Sequence, residues 1–589
     1  MRYSHATARV VVLIAAAAAI VVAGCGNSGN KAGGAGPTEL SSAAVEGAAT
    51  ELTVLVDDTP NGLSWNGPTV ALASTQFGFN QLYSRLVENE ITYNPDGSAR
   101  SNVSEFVGDL AESFEQKGDT WTFKLRKGVV SCAGNEMTAD DVIYTFARSK
   151  RRAGAGPIDW AINSLAGIFD ASDESKELKG EVTKIDDYTV EIKQTQPQLL
   201  FLPALEIITG PIIDSTEMKK HDTPQDPDGQ KWQDSEGAAG FGPYCLENWA
   251  KGTEITYTKN AKWNVPPLPQ YEKVVVKKVP SAANRVTGLL GGNADIVTTL
   301  ATRQIADLEG KPGIKVASLE GTATTWLHMN FATKPWDNVK LRQAVGYMLP
   351  YDQIVNDGYN GLAKRAEGIP SSVVPNFVPN NPYKDDPAKA KALLAEAGFP
   401  EGRGLDAFPA SSFELSYPIE RADQLQPVAT IIASALKKYG IPVKLNPIPL
   451  SVFGDRVQGK RDLPFAVNDQ AIPIIPDAGY AMNALMTPID MGGTTDPVNY
   501  PNKEVHDLWV NHANHESDPE KRSEAVNKAL DLGIQDVAIL PIVENPALFP
   551  HSDAVTGFVY LPDQTLRLRY LRVAGGSYAP DGSLTGGGD

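Results

Sequence analysis

The sequence predicts an α/β fold divided into two or three domains. Three observations support this prediction: a strand pattern followed by a helix pattern in the segment 120–146, a chain too long for one core, and enough apolar residues for several cores. The chain has 589 residues. About 540 remain after the leader and the tether described below, which is more than one hydrophobic core accommodates. Hydrophobic residues make up 42% of the chain, so each domain can form a core of its own.

The first half of the segment 120–146 has the pattern of a strand. Trp121, Phe123 and Leu125 alternate with polar residues, which is the period of a half-buried strand. Lys127-Gly128 ends this alternation, and Gly134-Asn135 marks a turn. This part of the chain is therefore predicted to be a strand that leads into a turn.

The second half of the same segment has the pattern of a helix. Thr138 and Asp141 have the spacing of a capping box, which predicts that the helix begins after Thr138. Apolar residues then recur at the helical period, so that one face of the helix can pack on the protein. They are Ala139, Val142, Ile143 and Phe146.

The N-terminus has the pattern of a secretory leader. Arg2 and Arg9 precede or flank the uncharged apolar run Val10–Ala23. That run is shorter than the roughly 20 residues of a membrane-spanning helix and fits the core of a signal peptide. The four residues VAGC, which end at Cys25, resemble a bacterial lipobox, in which the cysteine thiol receives a lipid. We expect residues 1–25 to be a lipoprotein signal peptide with its lipobox cysteine; a chance cysteine behind an ordinary signal is the alternative.

Two segments rich in small residues are expected to lie outside the folded body. Residues 26–49 are rich in Gly, Ala and Ser and show no hydrophobic period, so we expect a flexible tether. Random-coil scaling gives such a tether an end-to-end distance of about 25–30 Å. The Gly-rich residues 576–589 are expected to form a disordered tail.

The chain contains three cysteines. If Cys25 carries a lipid, Cys132 and Cys245 remain as an even pair in an oxidising compartment, where disulfides form. We expect these two to be bonded to each other. Two separately buried thiols are the alternative, because sequence alone does not give the distance between the two Cα atoms.

Composition and motifs argue against several functions. The 53 basic and 71 acidic residues give a net charge of −18, whereas nucleic acid binds basic surfaces. The chain has no G-x-S-x-G elbow, Walker loop or H-E-x-x-H motif, so we expect neither an enzyme nor a cofactor. His506, His512 and His515 could ligate a metal, but a solvated helix face explains them more simply, and no metal is predicted.

The amino-acid sequences of many segments, in their order along the chain, resemble those of the family 5 extracellular solute-binding proteins. This is the oligopeptide- and dipeptide-binding type that serves ABC importers. The resemblance runs from about Leu52 to about Leu571, and Asp386–Gly398, DPAKAKALLAEAG, is among its most recognisable segments. The other matching segments are Asp109–Phe114, Trp121–Phe146, Asp186–Ile192, Gly240–Tyr244, Leu289–Val297 and Trp336–Val345.

The resemblance implies a two-lobed periplasmic-binding-protein type II fold, with a mixed sheet in each lobe and an extra subdomain in lobe I. We assign lobe I to residues 50–298 and 538–575, with the subdomain at 80–180. Lobe II is assigned to residues 299–537. Two chain crossings between the lobes would form the hinge.

The resemblance also implies a function. The protein would capture an extracytoplasmic solute, a peptide or a peptide-like molecule, by closing its lobes on it, and would deliver it to the permease subunits of an ABC transporter. It would act as a monomer held to the bacterial cell membrane by its lipid. The alternative is a cell-envelope regulator or scaffold that uses the same fold without transport.

Two segments near the ligand cleft follow from the resemblance. Trp65 and Asn66 occupy the place of a Leu-Asp/Asn-Pro element of the family, although the proline is missing here. Trp326, His328 and Asn330 share one side of a strand by period two, in a strand that the family places near the cleft. Plain sheet packing is the alternative for these three residues.

A third segment, Val467–Tyr480, comes where peptide-binding members carry an aspartate that pairs with the α-amine of the ligand. An aspartate suits this role because a buried ammonium needs a charged, hydrogen-bonded partner. Asp469 is the candidate anchor, with a turn residue as the alternative, and Tyr480 is a candidate wall residue. Asp477 matches a family aspartate that is usually structural.

Overall fold

The structure is a computed structural model, and it describes residues 50–67, 72–152, 166–169, 175–195, 198–207, 210–469, 475–488, 493, 495–562, 565–580, 582–583 and 585. These residues all belong to the compact unit that spans Ala44–Asp589. The predicted signal peptide, the lipidation site Cys25 and the tether at 26–49 lie outside the described residues.

The described strands are numbered in chain order. They are β1 (Glu51–Val56), β2 (Val87–Tyr93), β3 (Ala99–Gly108), β4 (Ala111–Lys117), β5 (Thr120–Leu125), β6 (Val182–Asp186), β7 (Thr189–Lys193), β8 (Tyr244–Ala250), β9 (Glu254–Lys259), β10 (Lys273–Lys278), β11 (Ile296–Val297), β12 (Ile314–Leu319), β13 (Thr324–Met329), β14 (Lys364–Arg365), β15 (Glu414–Pro418), β16 (Lys444–Ile448), β17 (Phe465–Asn468), β18 (Leu540–Glu544), β19 (Ala547–Ser552), β20 (Val555–Thr556) and β21 (Arg572–Val573).

The described α-helices are numbered in the same way. They are α1 (Ala73–Asn80), α2 (Ala139–Arg151), α3 (Phe201–Glu206), α4 (Ser215–His221), α5 (Gln230–Ser235), α6 (Ala282–Leu290), α7 (Thr302–Ala306), α8 (Val339–Met348), α9 (Tyr351–Gln353), α10 (Pro387–Glu396), α11 (Ala422–Lys437), α12 (Leu450–Gly454), α13 (Ala478–Met486), α14 (Lys503–Asp507) and α15 (Pro519–Gln535). Within the described ranges, no helix has the length and apolar character that a bilayer span requires.

Two large mixed sheets organise these elements. The first has seven strands in the order β12-β19-β11-β1-β10-β9-β8, and its central β1 pairs in parallel with β10 and β11. The second has six strands in the order β14-β18-β13-β17-β15-β16, with β15 parallel to both of its neighbours and β13 antiparallel to both of its own. The predicted mixed α/β architecture is confirmed.

Each large sheet contributes to its own hydrophobic core. Leu52, Val54 and Val56 of β1 belong to the first core, and Leu327 and Met329 of β13 belong to the second. Two separate cores are what a chain of this length requires, because single cores stop growing beyond roughly 250–300 residues.

The segment 120–146 folds as its pattern predicts. β5 is the strand, and α2 begins directly after Thr138, whose backbone N–H donates to Asp141 Oδ2 at 2.8 Å. β5 pairs with β4 and β7 in a four-stranded sheet of order β4-β5-β7-β6. That sheet and the β2-β3 hairpin contain the strands between residues 87 and 193, around the predicted subdomain at 80–180.

The chain passes from one large sheet to the other at two places. β12 belongs to the first sheet and β13 to the second, so the first crossing lies at residues 320–323. β18 belongs to the second sheet and β19 to the first, so the return crossing lies at 545–546. The first crossing lies after residues 298/299 because β12 pairs within the first sheet, and the second lies after 537/538 because β18 pairs within the second sheet.

Cys132 and Cys245 are bonded to each other, with their Cα atoms 5.6 Å apart. The bond joins the turn before α2 to β8, and the two cysteines are separated by 113 positions in the sequence.

The start of the predicted tail contacts the folded body. The ring of Tyr578 is buried, and its hydroxyl donates to the carbonyl of Val573 at 2.6 Å.

Candidate functional site

A cavity of about 320 Å³ lies where the two crossings meet. Ala323 and Asn545, one from each crossing, line it, and the N–H of Asn545 donates to the carbonyl of Ala323 at 2.8 Å. The first sheet contributes the end of β1 and the start of β19, and the second-sheet side contributes Arg421. The volume falls at the lower end of the roughly 300–1,000 Å³ that is usual for small-molecule sites.

Aromatic side chains make up much of the wall. Phe77, Phe549, Tyr359 and Tyr560 line the cavity. The hydroxyl of Tyr560 accepts from the N–H of Thr322 at 2.8 Å. The hydroxyl of Tyr359 lies 2.6 Å from Oγ1 of Thr325. Tyr560 therefore binds the backbone of the first crossing and Tyr359 binds a side chain of β13, while both rings form part of the cavity wall.

Two residues of the cavity wall, Arg421 and Asp469, form an ion pair. Arg421, directly before α11, donates from Nη2 to Asp469 Oδ2 at 2.8 Å, and Asp469 follows β17. The side chain of Asp469 is 3% exposed and that of Arg421 is 30% exposed. The charge of Asp469 raises the pKa of Arg421 above its ordinary value, so the guanidinium stays charged.

Two polar atoms of the wall lack partners within the described part of the chain. They are Nε of Arg421, a donor, and Oδ1 of Asn545, an acceptor. Nδ2 of the same Asn545 donates to Thr325 Oγ1 at 2.9 Å, which holds the amide in place. Both atoms are buried, and a buried polar atom without a partner is costly.

Residues 105–492 match the family described as "Bacterial extracellular solute-binding proteins, family 5 Middle". The chain belongs to this family.

Individual relatives agree with this assignment. The probable D,D-dipeptide-binding periplasmic protein DdpA of Escherichia coli K12 is 28% identical over 484 residues, which cover 82% of this chain and 86% of that protein. Heme-binding protein A of Haemophilus influenzae is 26% identical over 518 residues, which cover 84% of this chain and 88% of that protein. Relatives of nearly full length thus differ in the ligands that their names state.

Solved structures show the fold of this family 5 protein. The periplasmic binding protein DppA of Helicobacter pylori, in complex with the peptide STSA, superposes with a TM-score of 0.70 at 21% identity and covers 90% of this chain and 98% of its own. The dipeptide-binding protein of a Pseudoalteromonas species, in complex with Met-Leu, gives 0.71 at 22% identity, with coverage of 89% and 100%. The protein therefore has the predicted type II periplasmic-binding-protein fold.

Of the predicted ligand-binding residues, Asp469 is among those that line the cavity. Trp65 and Asn66 are buried in the first-sheet half, where Asn66 Oδ1 accepts from Arg148 Nη1 at 2.7 Å. Tyr480 is buried in the same core, although it belongs to α13, whose Met482 packs in the other core. Asp477 caps α13 through the N–H of Tyr480, in line with its predicted structural role.

Trp326, His328 and Asn330 are buried in or beside β13 and are not among the residues that line the cavity. Nε1 of Trp326 donates to the carbonyl of Ile369 at 3.3 Å. Nδ2 of Asn330 donates to the carbonyl of Arg461 at 3.0 Å. The side-chain N–H groups of Trp326 and Asn330 thus bind backbone carbonyls rather than face the cavity.

Several wall residues were not singled out by the sequence. Asp57 directly follows the predicted strand of β1, and strand ends are a usual place for binding residues, so a signal was present for it. Tyr359, Tyr560 and the start of α11, with Arg421 and Gln424, reach the cavity from parts of the chain that are far apart in the sequence. Nothing in the local pattern of these four residues distinguishes them from other surface or core positions.

Two of the three histidines noted in the sequence, His506 and His512, have other polar neighbours. Nε2 of His506 lies 3.0 Å from the carbonyl of Tyr500, and His512 lies 3.6 Å from Asp507. Across the described ranges, no group of three or more His, Cys, Asp and Glu residues is arranged to hold a metal.

Buried His328 predicts a pH dependence of stability. Burial lowers its pKa from 6.5 to about 4, and its Nε2 has no partner among the described residues. Between pH 6.5 and 4 the unfolded chain binds a proton at this site and the folded chain does not, so stability falls as the pH is lowered. The loss is about 3 kcal/mol by linkage.

Urea unfolding of the wild type and of His328→Leu between pH 7 and pH 4 measures this contribution. We expect the free energy of unfolding to fall less steeply with decreasing pH in the variant. Parallel curves for the two proteins would show that His328 takes up its proton equally in both states.

Proposed function

We propose that the protein binds a peptide or peptide-like solute outside the cytoplasm in this cavity and delivers it to the permease of an ABC transporter. The observation that carries the proposal is a cavity of about 320 Å³ that is bounded by both large sheets at the two crossings, in a chain of the solute-binding family 5. A ligand held there contacts both halves of the molecule at once.

The chemistry of the wall supports a peptide-like solute. A peptide backbone offers both donors and acceptors, which suit a wall that includes polar residues such as Ser74 and Asn545. The aromatic wall suits apolar side chains. Relatives whose printed names and titles include dipeptide-binding proteins point in the same direction.

The two crossings suit a hinge. Each is short, four residues at 320–323 and two residues at 545–546, so a small change of backbone angles there can move the two halves relative to each other. We propose that lobe I and lobe II, redrawn at these crossings, close on the solute. Trp65, Asn66, Trp326, His328, Asn330 and Tyr480 would then act through packing, and Asp469 through its contact with the cavity.

We further propose that Cys25 is lipidated and that residues 26–49 tether the body to the bacterial cell membrane. The support is the leader pattern and lipobox of the sequence. A tether of about 25–30 Å lets a monomeric binding protein reach a permease in the same membrane. A scaffold without a ligand is less well supported, because the cavity is not filled by side chains.

A cavity-blocking variant tests the proposal. Ala73 is exposed at the start of α1 and lines the cavity, so Ala73→Trp fills space that the solute would occupy. We expect dipeptides and tetrapeptides to raise the melting temperature of the wild type, since a ligand at 100 times its Kd stabilises by about 2.7 kcal/mol. We expect no such shift in Ala73→Trp.

The matched control is Ala283→Trp, which places the same side chain on an exposed alanine near the start of α6, outside the cavity wall. It should retain the ligand-dependent shift. The proposal is contradicted if no peptide shifts the wild type, or if Ala73→Trp responds as the wild type does. Mass spectrometry of whatever co-purifies with the wild type identifies the natural solute.

A further inference from the structure

The cavity wall has more negatively charged than positively charged side chains among the described residues. Asp57, Asp58 and Asp469 carry three negative charges, and Arg421 carries the one positive charge among the described wall residues. The segments of residues 50–589 that the structure does not describe contain no lysine, arginine or histidine. Those segments therefore add no cation to the wall, whatever their position.

Two of the three carboxylates already have partners. Asp469 accepts from Arg421 at 2.8 Å and is almost fully buried. Asp58 lies 2.7 Å from Nζ of Lys278, and its Oδ1 accepts from the N–H of Thr59 at 3.0 Å. A solute cannot use either carboxylate fully without displacing an existing contact.

Asp57 differs from the other two. It is exposed at the carboxyl end of β1, and no hydrogen bond or ion pair involves its carboxylate in the described part of the chain. It acts on two arginines by charge alone. Burial lowers the pKa of Arg285 and nearby Asp57 opposes this, while the pKa of Arg421 is raised chiefly by Asp469 and also by Asp57.

Arg285 forms no ion pair with Asp57 in the described part of the chain. Its side chain is buried behind the wall, where Nη1 donates to the carbonyls of Val279 and Pro280 and Nη2 donates to the carbonyl of Thr299. Arg421 is held by Asp469 in the same way. Both guanidinium groups already have these partners, so Asp57 keeps an exposed carboxylate on the cavity wall.

A solute that covers the carboxylate of Asp57 is selected by its charge. A neutral solute removes water from Asp57 and returns at best a neutral hydrogen bond, whereas an ammonium or guanidinium returns a charge-assisted one. An anionic group at the same place is repelled. Hydrogen bonds to charged groups exceed neutral ones by enough to give about tenfold in affinity.

We propose that the solute is small and cationic and that Asp57 binds its positively charged group. This proposal rests on the function proposed above and specifies its substrate class. The solute is a peptide-like molecule with a basic group in addition to its terminal ammonium and carboxylate, so its net charge is positive. The cavity volume of about 320 Å³ limits the solute to the size of a very short peptide.

Three dipeptides of similar size, Ala-Lys, Ala-Gln and Ala-Glu, test the proposal by isothermal titration calorimetry on the folded protein. We expect the wild type to bind Ala-Lys about tenfold more tightly than Ala-Gln, and Ala-Glu most weakly. In Asp57→Asn the preference for Ala-Lys over Ala-Gln should fall to about twofold. Asp385→Asn, which makes the same change at an exposed position outside the cavity wall, should keep the wild-type preference.

The outcomes separate the two proposals. Equal binding of all three dipeptides by the wild type overturns the cationic preference and leaves peptide binding intact. A full preference in Asp57→Asn overturns the role of Asp57. Absence of binding of every dipeptide by the folded wild type, shown by an unchanged melting temperature, overturns both proposals together.

Discussion

Replacing Arg569 by methionine should lower the free energy of unfolding by about 3–5 kcal/mol. The guanidinium of Arg569 is buried, donates to Asp109 Oδ1 at 3.0 Å and also contacts Glu88 Oε2. It thereby ties the C-terminal segment to the subdomain. Removing it leaves two buried carboxylates without their cation, which is the costly case for a buried ion pair.

Urea unfolding at pH 7 gives the change for Arg569→Met, and Arg403→Met is the control. Arg403 pairs with Glu401 at 3.4 Å, but the two side chains are 72% and 79% exposed. Solvent screens such a pair, so the control should lose less than about 1 kcal/mol. Similar losses for the two variants would show that burial of the Arg569 cluster does not set its contribution.

Removal of the disulfide should have an effect of similar size. The double variant Cys132→Ser/Cys245→Ser opens a loop of more than one hundred residues, since the two cysteines are 113 positions apart. We expect the free energy of unfolding to fall by about 2–5 kcal/mol, because the unbridged unfolded chain gains conformational freedom.

Reduction provides the matched control for this prediction. Dithiothreitol should destabilise the wild type by about as much as the double substitution does, and it should leave the double variant unchanged. If the reductant destabilises both proteins equally, or if the double variant unfolds at the same urea concentration as the wild type, the bond does not stabilise the fold.

The resemblance in the sequence led to the fold with good accuracy because the segments that carry it are packing and capping elements. β5, the turn and α2 were predicted from alternation, glycine and the Thr138–Asp141 capping box, and each is local in sequence. The predicted limits of the lobes differ from the places where the chain passes from one large sheet to the other. Which sheet β12 and β18 join depends on pairing with strands distant in the chain, and the local pattern does not contain that information.

The candidate site was predicted only in part for the same reason. Asp469 was singled out because it lies in the segment where the family carries an aspartate, whereas Arg421, its ion-pair partner, lies 48 residues earlier and carries no local signal. Trp65, Trp326 and Asn330 have the residue types of a binding wall, yet the structure uses them in packing and in hydrogen bonds to the backbone.

The sequence by itself provided grounds for the fold class, the candidate disulfide pair and the family resemblance, and for the predicted leader, because periodicity, capping and composition are properties of neighbouring residues. The tertiary structure alone decided where the chain crosses between the sheets, which groups surround the cavity and which carboxylate remains without a partner. Those features arise when residues hundreds of positions apart, such as Asp57, Arg421 and Tyr560, come together around one cavity, and only the packed chain fixes their distances and burial.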